Sequence, residues 1–254
     1  MHARRLYAHR GAAAERPENT LPAFERAIEI GVDALELDVQ VTRDDVLIVV
    51  HDDTASRTAA AQLRWSALDL ADAQRLDVGW GFVAADGTRP FAGQGIRVPR
   101  FDEILEAFPD VQLNVDIKSD PRAVGLILDA VRARQAEHRV TIASFQLRQI
   151  AEVRRRGYGG ETALARTEVA SLAALPSLLW RQLPRTGTAA QVPTHAGPLR
   201  FDRAAFIAKC HSLGLRVDFW TVDDPAEAAR LLALGADGVM TNDPATIRRA
   251  FATA

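Results

Sequence analysis

Two acidic residues stand two positions apart in a short apolar run of the sequence. Glu36 and Asp38 alternate with apolar residues over positions 35–39, which is the period of a β-strand whose alternate side chains share one face. The run over positions 113–117 repeats this alternation and turns Asp116 the same way. Three carboxylates brought together repel one another unless a cation compensates, and oxygen ligands of this kind suit Mg²⁺, Mn²⁺ or Ca²⁺.

Two basic residues near these acids leave a second interpretation open. Lys118 shares the inward face of Asp116, and Arg10 follows the first predicted strand. Buried salt bridges between these cations and the carboxylates would also balance the charge without a metal ion. Alternatively, the guanidinium group of Arg10 can bind two phosphate oxygens at once.

Two histidines fall at predicted strand ends beside acidic residues. His9 closes the first strand, and His51 closes the apolar run over positions 46–50. Histidine titrates near neutral pH and can act as an acid or a base. Either one alone would more often be an ordinary structural histidine, but the two together predict a catalytic pair.

The elements that position these residues follow from the wider pattern of the chain. Short apolar runs alternate with helix-period segments, which is typical of βα units around a parallel sheet. The pattern predicts an α/β protein with a TIM-like (β/α)8 barrel and its chemistry at the carboxyl ends of the strands. The eight predicted strands lie near Arg5–Ala8, Ala34–Val39, Gln112–Ile117, Val140–Ser144, Thr162–Ala165, Thr188–Pro193, Leu215–Thr221 and Gly238–Thr241.

The apolar run over positions 46–50 begins too soon after the second strand for a parallel crossover, which needs about a dozen residues. It must therefore return antiparallel, through a turn at Thr42–Asp45. This hairpin would make Asp38 and His51 approximate neighbours across the two strands.

The segment from Asp53 to Pro99 is rich in turn residues and has one weak helical stretch, Ser66–Arg75. It interrupts the barrel after the hairpin, at the face where TIM-barrel active sites lie. We therefore expect one domain over residues 1–254, with the 53–99 insertion at the barrel mouth, where it would govern substrate choice.

Composition excludes some classes of partner. The chain has 31 Lys and Arg against 33 Asp and Glu, so its net charge predicts no general electrostatic attraction to nucleic acid or to an anionic membrane. Any recognition of phosphate must therefore be local. A transmembrane segment and a secretory signal are not expected, because the chain lacks the long apolar run of the first and the N-terminal apolar region of the second. We expect a cytoplasmic protein, with peripheral membrane contact still open.

Cys210, the only cysteine, is predicted to be buried and inert in a helix over Arg203–Leu213.

Short motifs occur in order along almost the whole chain. They are His9-Arg10-Gly11, Pro17-Glu18-Asn19-Thr20, Glu36-Leu37-Asp38-Val39, His51-Asp52, Trp220-Thr221-Val222-Asp223 and Gly238-Val239-Met240-Thr241. Together they resemble the motifs of glycerophosphodiester phosphodiesterases. The resemblance implies a barrel that binds one divalent cation, Mg²⁺ or Ca²⁺ with Mn²⁺ as a further candidate, through Glu36, Asp38 and the acid at 116. It also implies His9 and His51 as the catalytic pair in hydrolysis of a glycerophosphodiester to glycerol 3-phosphate and an alcohol.

Under this resemblance the metal ion and Arg10 would bind the phosphodiester oxygens, with Lys118 adding charge. One histidine would activate the attacking hydroxyl, from water or the adjacent glycerol, and the other would protonate the leaving alkoxide. Trp220 would wall the glycerol or head-group side, or would only pack within the barrel. Glu18 and Asn19 would support the site, or the segment would only cap the following helix, predicted over positions 21–30.

Three positions depart from the family pattern. Asp116 stands where most relatives have Glu, Asp45 replaces a turn glycine, and Asn242 stands where an acid is commoner. The sequence around Asp116 is similar to the branch acting on lysophospholipids, which gives lysophospholipase D-like hydrolysis or cyclising cleavage as the alternative activity. A non-catalytic phosphate-binding barrel is the alternative from a different class.

Overall fold

The computed structural model of the protein describes residues 3–118, 120–183 and 187–252. Its strands within these ranges are mostly buried, apart from a short exposed hairpin near residues 195–200. They are β1 (Arg5–His9), β2 (Ala34–Val41), β3 (Leu47–Val49), β4 (Gln112–Ile117), β5 (Val140–Ala143), β6 (Ala189–Val192), β7 (His195–Ala196), β8 (Leu199–Arg200), β9 (Arg216–Phe219) and β10 (Gly238–Thr241).

The parallel strands curl into a ring. Their order is β5, β4, β2, β1, β10, β9, β6, so the two strands at the ends of this order are β5 and β6. Residues 162 and 163 bridge them, because Thr162 pairs in parallel with Ile142 of β5 and Ala163 with Ala189 of β6. The predicted TIM-like barrel is therefore confirmed. Its fifth member is a pair of isolated bridges instead of the strand expected over Thr162–Ala165.

Helices cover the outside of the ring. The first follows the prediction, ending at Gly31 in the left-handed conformation with φ 85°, which favours glycine. Asp224 and Asp243 cap two later helices by accepting backbone N–H bonds at 2.9 and 3.0 Å. The helices are α1 (Leu21–Ile30), α2 (Ser56–Ala59), α3 (Leu70–Ala73), α4 (Phe101–Ala107), α5 (Ala123–Ala133), α6 (Leu147–Arg155), α7 (Arg166–Ala174), α8 (Ser177–Trp180), α9 (Ala204–Ser212), α10 (Pro225–Ala233) and α11 (Pro244–Ala252).

β3 returns antiparallel to β2, as predicted, but the register differs by one residue from the prediction. Val39 pairs with Val49, and the Val50 N–H donates to the Asp38 carbonyl at 3.0 Å. Asp38 is therefore opposite Val50 and not opposite His51.

The turn between these strands explains the shift. The Thr42 N–H donates to the Val46 carbonyl at 3.0 Å, which centres the turn on Asp44 instead of between Asp44 and Asp45. Asp45 adopts a left-handed conformation with φ 61°. Aspartate tolerates that region better than most residues, so it can occupy the place of the usual glycine.

The insertion after the hairpin has a small hydrophobic core of its own. Trp65 is buried there, with Ile48 and Val50 contributed by the returning chain of the hairpin. The expected helix over Ser66–Arg75 is divided into a 3-10 turn, Trp65–Ala67, and the short helix α3.

The remaining structural expectations concern the thiol and the membrane. Cys210 lies buried on α9, and burial raises the pKa of its thiol to about 12, which fits the predicted inert cysteine. Among the described residues, no helix has the length and apolar character needed to span a bilayer.

Candidate active site

A pocket of about 200 Å³ opens at the carboxyl ends of the barrel strands. The structure brings the predicted catalytic, metal-binding and phosphate-binding side chains to its walls, while the two supporting residues, Glu18 and Asn19, lie behind them. The predicted residues that line the pocket are His9, Arg10, Glu36, Asp38, His51, Asp116, Lys118 and Trp220.

The turn after β1 sets Arg10 beside the acids. Arg10 and Gly11 are both left-handed, with φ 58° and 83°, and the Arg10 N–H donates to Glu36 Oε2 at 3.1 Å. A Cβ on Gly11 would lie 2.7 Å from the Cβ of Ala23. Glycine is therefore required where this loop meets α1.

Asp38 is the most heavily bonded of the three carboxylates. Its Oδ1 lies 2.6 Å from Lys118 Nζ, and its Oδ2 lies 3.3 Å from Arg10 Nε. Lys118 Nζ is also 2.6 Å from Asp116 Oδ2. The Lys118 ammonium thus lies between two of the predicted metal ligands, and these are the salt bridges of the second interpretation.

Burial and charge shift the pKa values of the three carboxyl groups apart. Burial, reinforced by the charges of Asp38 and Asp116, raises the pKa of Glu36 well above its ordinary value. Burial also raises the pKa of Asp116 to about 6, against the opposing effect of Lys118. Burial acts on Asp38 in the same direction, but Lys118 and Arg10 outweigh it and lower the pKa of that group. Burial and mutual repulsion thus oppose ionisation of Glu36 and Asp116, whereas the neighbouring cations favour ionisation of Asp38.

A divalent cation fits the chemistry of this donor set, because buried carboxylate oxygens are the ligands that Mg²⁺ and Ca²⁺ prefer. The present arrangement is a salt-bridged one. In the described ranges, no three His, Cys, Asp or Glu side chains are grouped as ligands of an ion. Binding of an ion by Glu36, Asp38 and Asp116 therefore requires the Lys118 ammonium to leave its place between the two aspartates.

His9 is held by the amide of Asn242, a residue that the sequence marked only as a departure from the family pattern. Its Nδ1 lies 2.7 Å from Asn242 Oδ1, and Asn242 Nδ2 donates to Asp223 Oδ2 at 2.8 Å. Because this places the amide oxygen toward the ring, the His9 Nδ1 carries the proton and Nε2 is left as an acceptor. Burial and the charge of Arg10 lower the pKa of His9, which favours the neutral ring.

His51 has a carboxylate partner instead. Its Nδ1 lies 2.7 Å from Asp52 Oδ1, and the Arg57 Nε of the insertion donates to Asp52 Oδ2 at 2.6 Å. Asp52 belongs to a motif of the sequence, so its adjacency to His51 was the available signal. Arg57 gave no signal, because its contact depends on the fold of the insertion.

The two supporting residues contact the site without capping α1. Asn19, at φ 55°, donates from Nδ2 to Asp38 Oδ2 at 2.9 Å. Glu18 accepts from Arg10 at 3.0 Å and from Arg57 at 2.5 and 2.8 Å. The Thr20 hydroxyl donates to the Pro17 carbonyl at 2.6 Å and makes no cap bond. The alternative in which this segment only caps the helix is therefore wrong.

The opposite wall of the pocket is mostly apolar and comes from later strands. Trp220 packs edge-to-face on Phe145, with ring centroids 5.7 Å apart. It also packs against the cluster of Tyr7, Ala34 and Met240 in the barrel interior. Trp220 therefore both lines the pocket and packs in the barrel. Further residues on this wall and the floor are Asn114, Ala143, Ser144, Ala163, Leu164, Gln191 and Thr221.

Comparison with known proteins identifies the family. The model of the glycerophosphoryl diester phosphodiesterase family matches residues 9–246. The chain belongs to this family. A glycerophosphodiester phosphodiesterase of Caldanaerobacter subterraneus subsp. tengcongensis is 30% identical over 250 residues, covering 95% of each chain. A human lysophospholipase D is 26% identical over 267 residues, covering 94% of this chain and 83% of that protein.

The solved structures agree with the fold. An Oleispira antarctica phosphodiesterase, solved with its product sn-glycerol-3-phosphate, has a TM-score of 0.81 at 20% identity and covers 98% of this chain and 96% of that chain. As a member of the glycerophosphodiester phosphodiesterase family, the chain is a phosphoric diester hydrolase.

Proposed function

We propose that this enzyme hydrolyses glycerophosphodiesters to glycerol 3-phosphate and an alcohol, with one divalent cation bound by Glu36, Asp38 and Asp116. The observation that carries the proposal is the meeting of two histidines, three carboxylates and two basic side chains on one pocket of about 200 Å³. A bound Mg²⁺, Ca²⁺ or Mn²⁺ ion would supply positive charge to the phosphoryl oxygens.

Arg10 and Lys118 are the groups that bind the remaining charge of the phosphodiester. Both line the pocket and both now contact Asp38. The contact with Asp38 holds Arg10 at the pocket. Lys118 would turn from the two aspartates toward the phosphodiester when an ion binds, and both cations would then stabilise charge that develops in the transition state. Trp220 walls the side of the pocket that takes the glycerol or the head group.

His9 acts as the general base in this proposal. Its Nδ1 is bonded to Asn242, so Nε2 is the nitrogen available to take a proton from the attacking hydroxyl. A neutral ring is the form that a base needs, and the lowered pKa of His9 supports it.

His51 acts as the general acid. The Asp52 carboxylate, 2.7 Å from Nδ1, accepts a hydrogen bond from the ring and orients it. The protonated ring can then deliver its proton to the departing alkoxide. The two histidines thus have opposite duties because their Nδ1 atoms have different partners.

A lysophospholipid is the second candidate substrate. The apolar wall formed by Phe145, Leu164 and Trp220 provides a surface for a hydrocarbon chain, and the similar human protein is named a lysophospholipase D. Cleavage of a lysophospholipid would use the same histidines and basic side chains. Its product would be a lysophosphatidic acid after hydrolysis, or a cyclic phosphate after attack by the adjacent glycerol hydroxyl.

Product analysis tests the proposal. The protein is incubated with glycerophosphocholine or lysophosphatidylcholine, with added Mg²⁺ or Ca²⁺, and the products are identified by mass spectrometry. We expect glycerol 3-phosphate and choline from the first substrate. If only lysophosphatidylcholine is cleaved, to lysophosphatidic acid or to a cyclic phosphate, the result would favour a lysophospholipid as the substrate. Binding without any product would support the non-catalytic phosphate-binding barrel.

A further inference from the structure

The rim of the barrel mouth exposes large apolar side chains at the edge of the pocket and beyond it. Phe145 and Leu147, where β5 meets α6, are 47% and 43% exposed. Leu199, on the hairpin of β7 and β8 that follows β6, is 46% exposed. The chain segments β5, 162–163 and β6 are neighbours in the ring, so the loops at their carboxyl ends lie side by side around the mouth.

The same loops, together with the first residues of the helices that follow them, carry arginines whose charge is not neutralised by an acid. Arg148, Arg166 and Arg203 are exposed, and none of them has a carboxylate partner in the part of the chain that the structure describes. The Arg166 guanidinium lies 5.3 Å from the centroid of the Phe145 ring. Positive and apolar groups are therefore intermixed on one surface.

The acids of these loops are already paired within the protein. Glu168 Oε1 accepts from Arg154 at 2.7 Å, and Asp202 accepts from Arg200 at 2.8 and 2.6 Å. Asp202 is also buried. The exposed charge of the three loops is consequently positive, although the whole chain has a net charge of −2.

We propose that this surface, which we call the mouth rim (residues 145–148, 164–166 and 195–203), docks on an anionic phospholipid bilayer. Apolar side chains of this size enter the boundary between head groups and acyl chains, and arginines are attracted to anionic lipid. An acidic protein would satisfy the arginines but would not need exposed leucines on separate segments of the mouth, Leu147 at the start of α6 and Leu199 on β8.

The mouth rim is continuous with the pocket. Phe145 belongs to both, since it lines the pocket and packs on Trp220. An enzyme held by this surface has its pocket open toward the bilayer, where a lipid diester enters without crossing water. This part of the inference rests on the proposed function, whereas the docking itself does not.

Exposed leucines elsewhere provide a matched control. Leu178 and Leu179 on α8 are 72% and 49% exposed. α8 directly precedes the loop into β6, and the Arg181 beside it donates to the Ser212 carbonyl at the end of α9. This position is toward the amino ends of the strands, away from the mouth.

Vesicle sedimentation tests the inference with two rim variants, Leu147→Ser with Leu199→Ser and Arg148→Gln with Arg203→Gln. The control variant is Leu178→Ser with Leu179→Ser. We expect the wild-type protein to bind phosphatidylcholine vesicles that contain phosphatidylglycerol at least tenfold more tightly than vesicles of phosphatidylcholine alone. Each rim variant should lose about tenfold or more of this binding, and the control should lose less than twofold.

Turnover of soluble glycerophosphocholine is measured for every variant. It should stay at the wild-type rate, because none of the substituted residues lines the pocket. Wild-type protein that does not bind the anionic vesicles would overturn the inference, as would rim variants that bind like the wild type or a control that loses as much. Absent turnover with intact, rim-dependent vesicle binding would contradict the proposed function alone.

Discussion

The imidazole Nδ1 atoms of His9 and His51 are held by chemically different groups. An amide oxygen holds His9 and a carboxylate holds His51, each at 2.7 Å. A carboxylate stabilises an imidazolium more than an amide does, so the two rings are prepared for different proton transfers. At the scale of single residues, this difference makes the assignment of acid and base testable.

Replacing His51 by Ala should have an effect that depends on the leaving group. We expect a loss of about 10²- to 10⁴-fold on glycerophosphocholine, the range for general acid catalysis. The loss on a nitrophenyl phosphodiester should be less than about tenfold, because that leaving group needs little protonation. Initial rates on both substrates measure the contrast. Asp52→Asn should also lose more activity on glycerophosphocholine than on the nitrophenyl ester, but both losses should be smaller than those of His51→Ala. Equal losses would reject the acid role of His51.

The residues predicted from the sequence are mainly those whose direction follows from strand alternation. Glu36, Asp38 and Asp116 occupy alternate positions on strands, and the structure puts them on one pocket. The partner of His9 was not predictable, because Asn242 is 233 positions away and meets it only when the ring closes. The placement of Lys118 between two acids was anticipated only as an alternative to the metal ion.

At the scale of elements, the Arg57 side chain links the insertion to the two loops that carry Glu18 and Asp52. Arg57 binds both Glu18 and Asp52, whereas no residue from 54 to 99 lines the pocket. The expectation that shortening the insertion changes the preference between glycerol diesters and lysophospholipids stays a prediction. The ratio of the two rates in a folded deletion variant tests it, and an unchanged ratio would count against it.

Replacing Arg57 by Gln should lower kcat on glycerophosphocholine by about tenfold with little change in KM, because misplacing a catalytic group affects the transition state more than substrate binding. Steady-state kinetics measure this split. Arg64→Gln is a control in the same insertion, since within the described residues no hydrogen bond or ion pair joins Arg64 to Glu18 or Asp52, whereas Arg57 binds both. A rise in KM at constant kcat would instead place Arg57 in substrate binding.

The hairpin shows where prediction of elements reached its limit. Its antiparallel return follows from the short connection, but the register depends on the turn conformation. The left-handed φ of 61° at Asp45 is not specified by local sequence, and it moved the pairing by one residue. The reduction of the expected strand to bridges at residues 162 and 163 was also beyond prediction from the sequence. A paired segment this short has too few residues to show the alternation that identifies a strand.

At the scale of the whole molecule, the two ends of the barrel carry different duties. The end opposite the pocket is closed by a buried polar network in which Asp218 accepts from Arg216 at 3.0 Å and from the Tyr7 hydroxyl at 3.2 Å. This network contacts none of the catalytic side chains. It contributes to stability, while the carboxyl ends of the strands carry the chemistry.

Replacing Asp218 by Ala should therefore lower the free energy of unfolding by about 3–5 kcal/mol, because it leaves Arg216 buried without its partner. Urea unfolding measures the change, and kcat on glycerophosphocholine should remain within about twofold of wild type below the transition. Asp218→Asn should cost less, since it keeps a hydrogen-bond acceptor. A large fall in kcat with unchanged unfolding would show that the two ends are coupled.

The central claim is that a divalent ion on Glu36, Asp38 and Asp116 is needed for phosphodiester hydrolysis, and chelation tests it most directly. Turnover of glycerophosphocholine is followed in protein treated with a chelator and then supplied with Mg²⁺, Ca²⁺ or Mn²⁺, while calorimetry measures ion binding in the wild type, Asp38→Ala and His9→Ala. We predict that chelation abolishes turnover and one of the ions restores it, that Asp38→Ala loses both ion binding and turnover, and that His9→Ala loses only turnover. Undiminished turnover in metal-free protein would contradict the claim and favour the salt-bridged site.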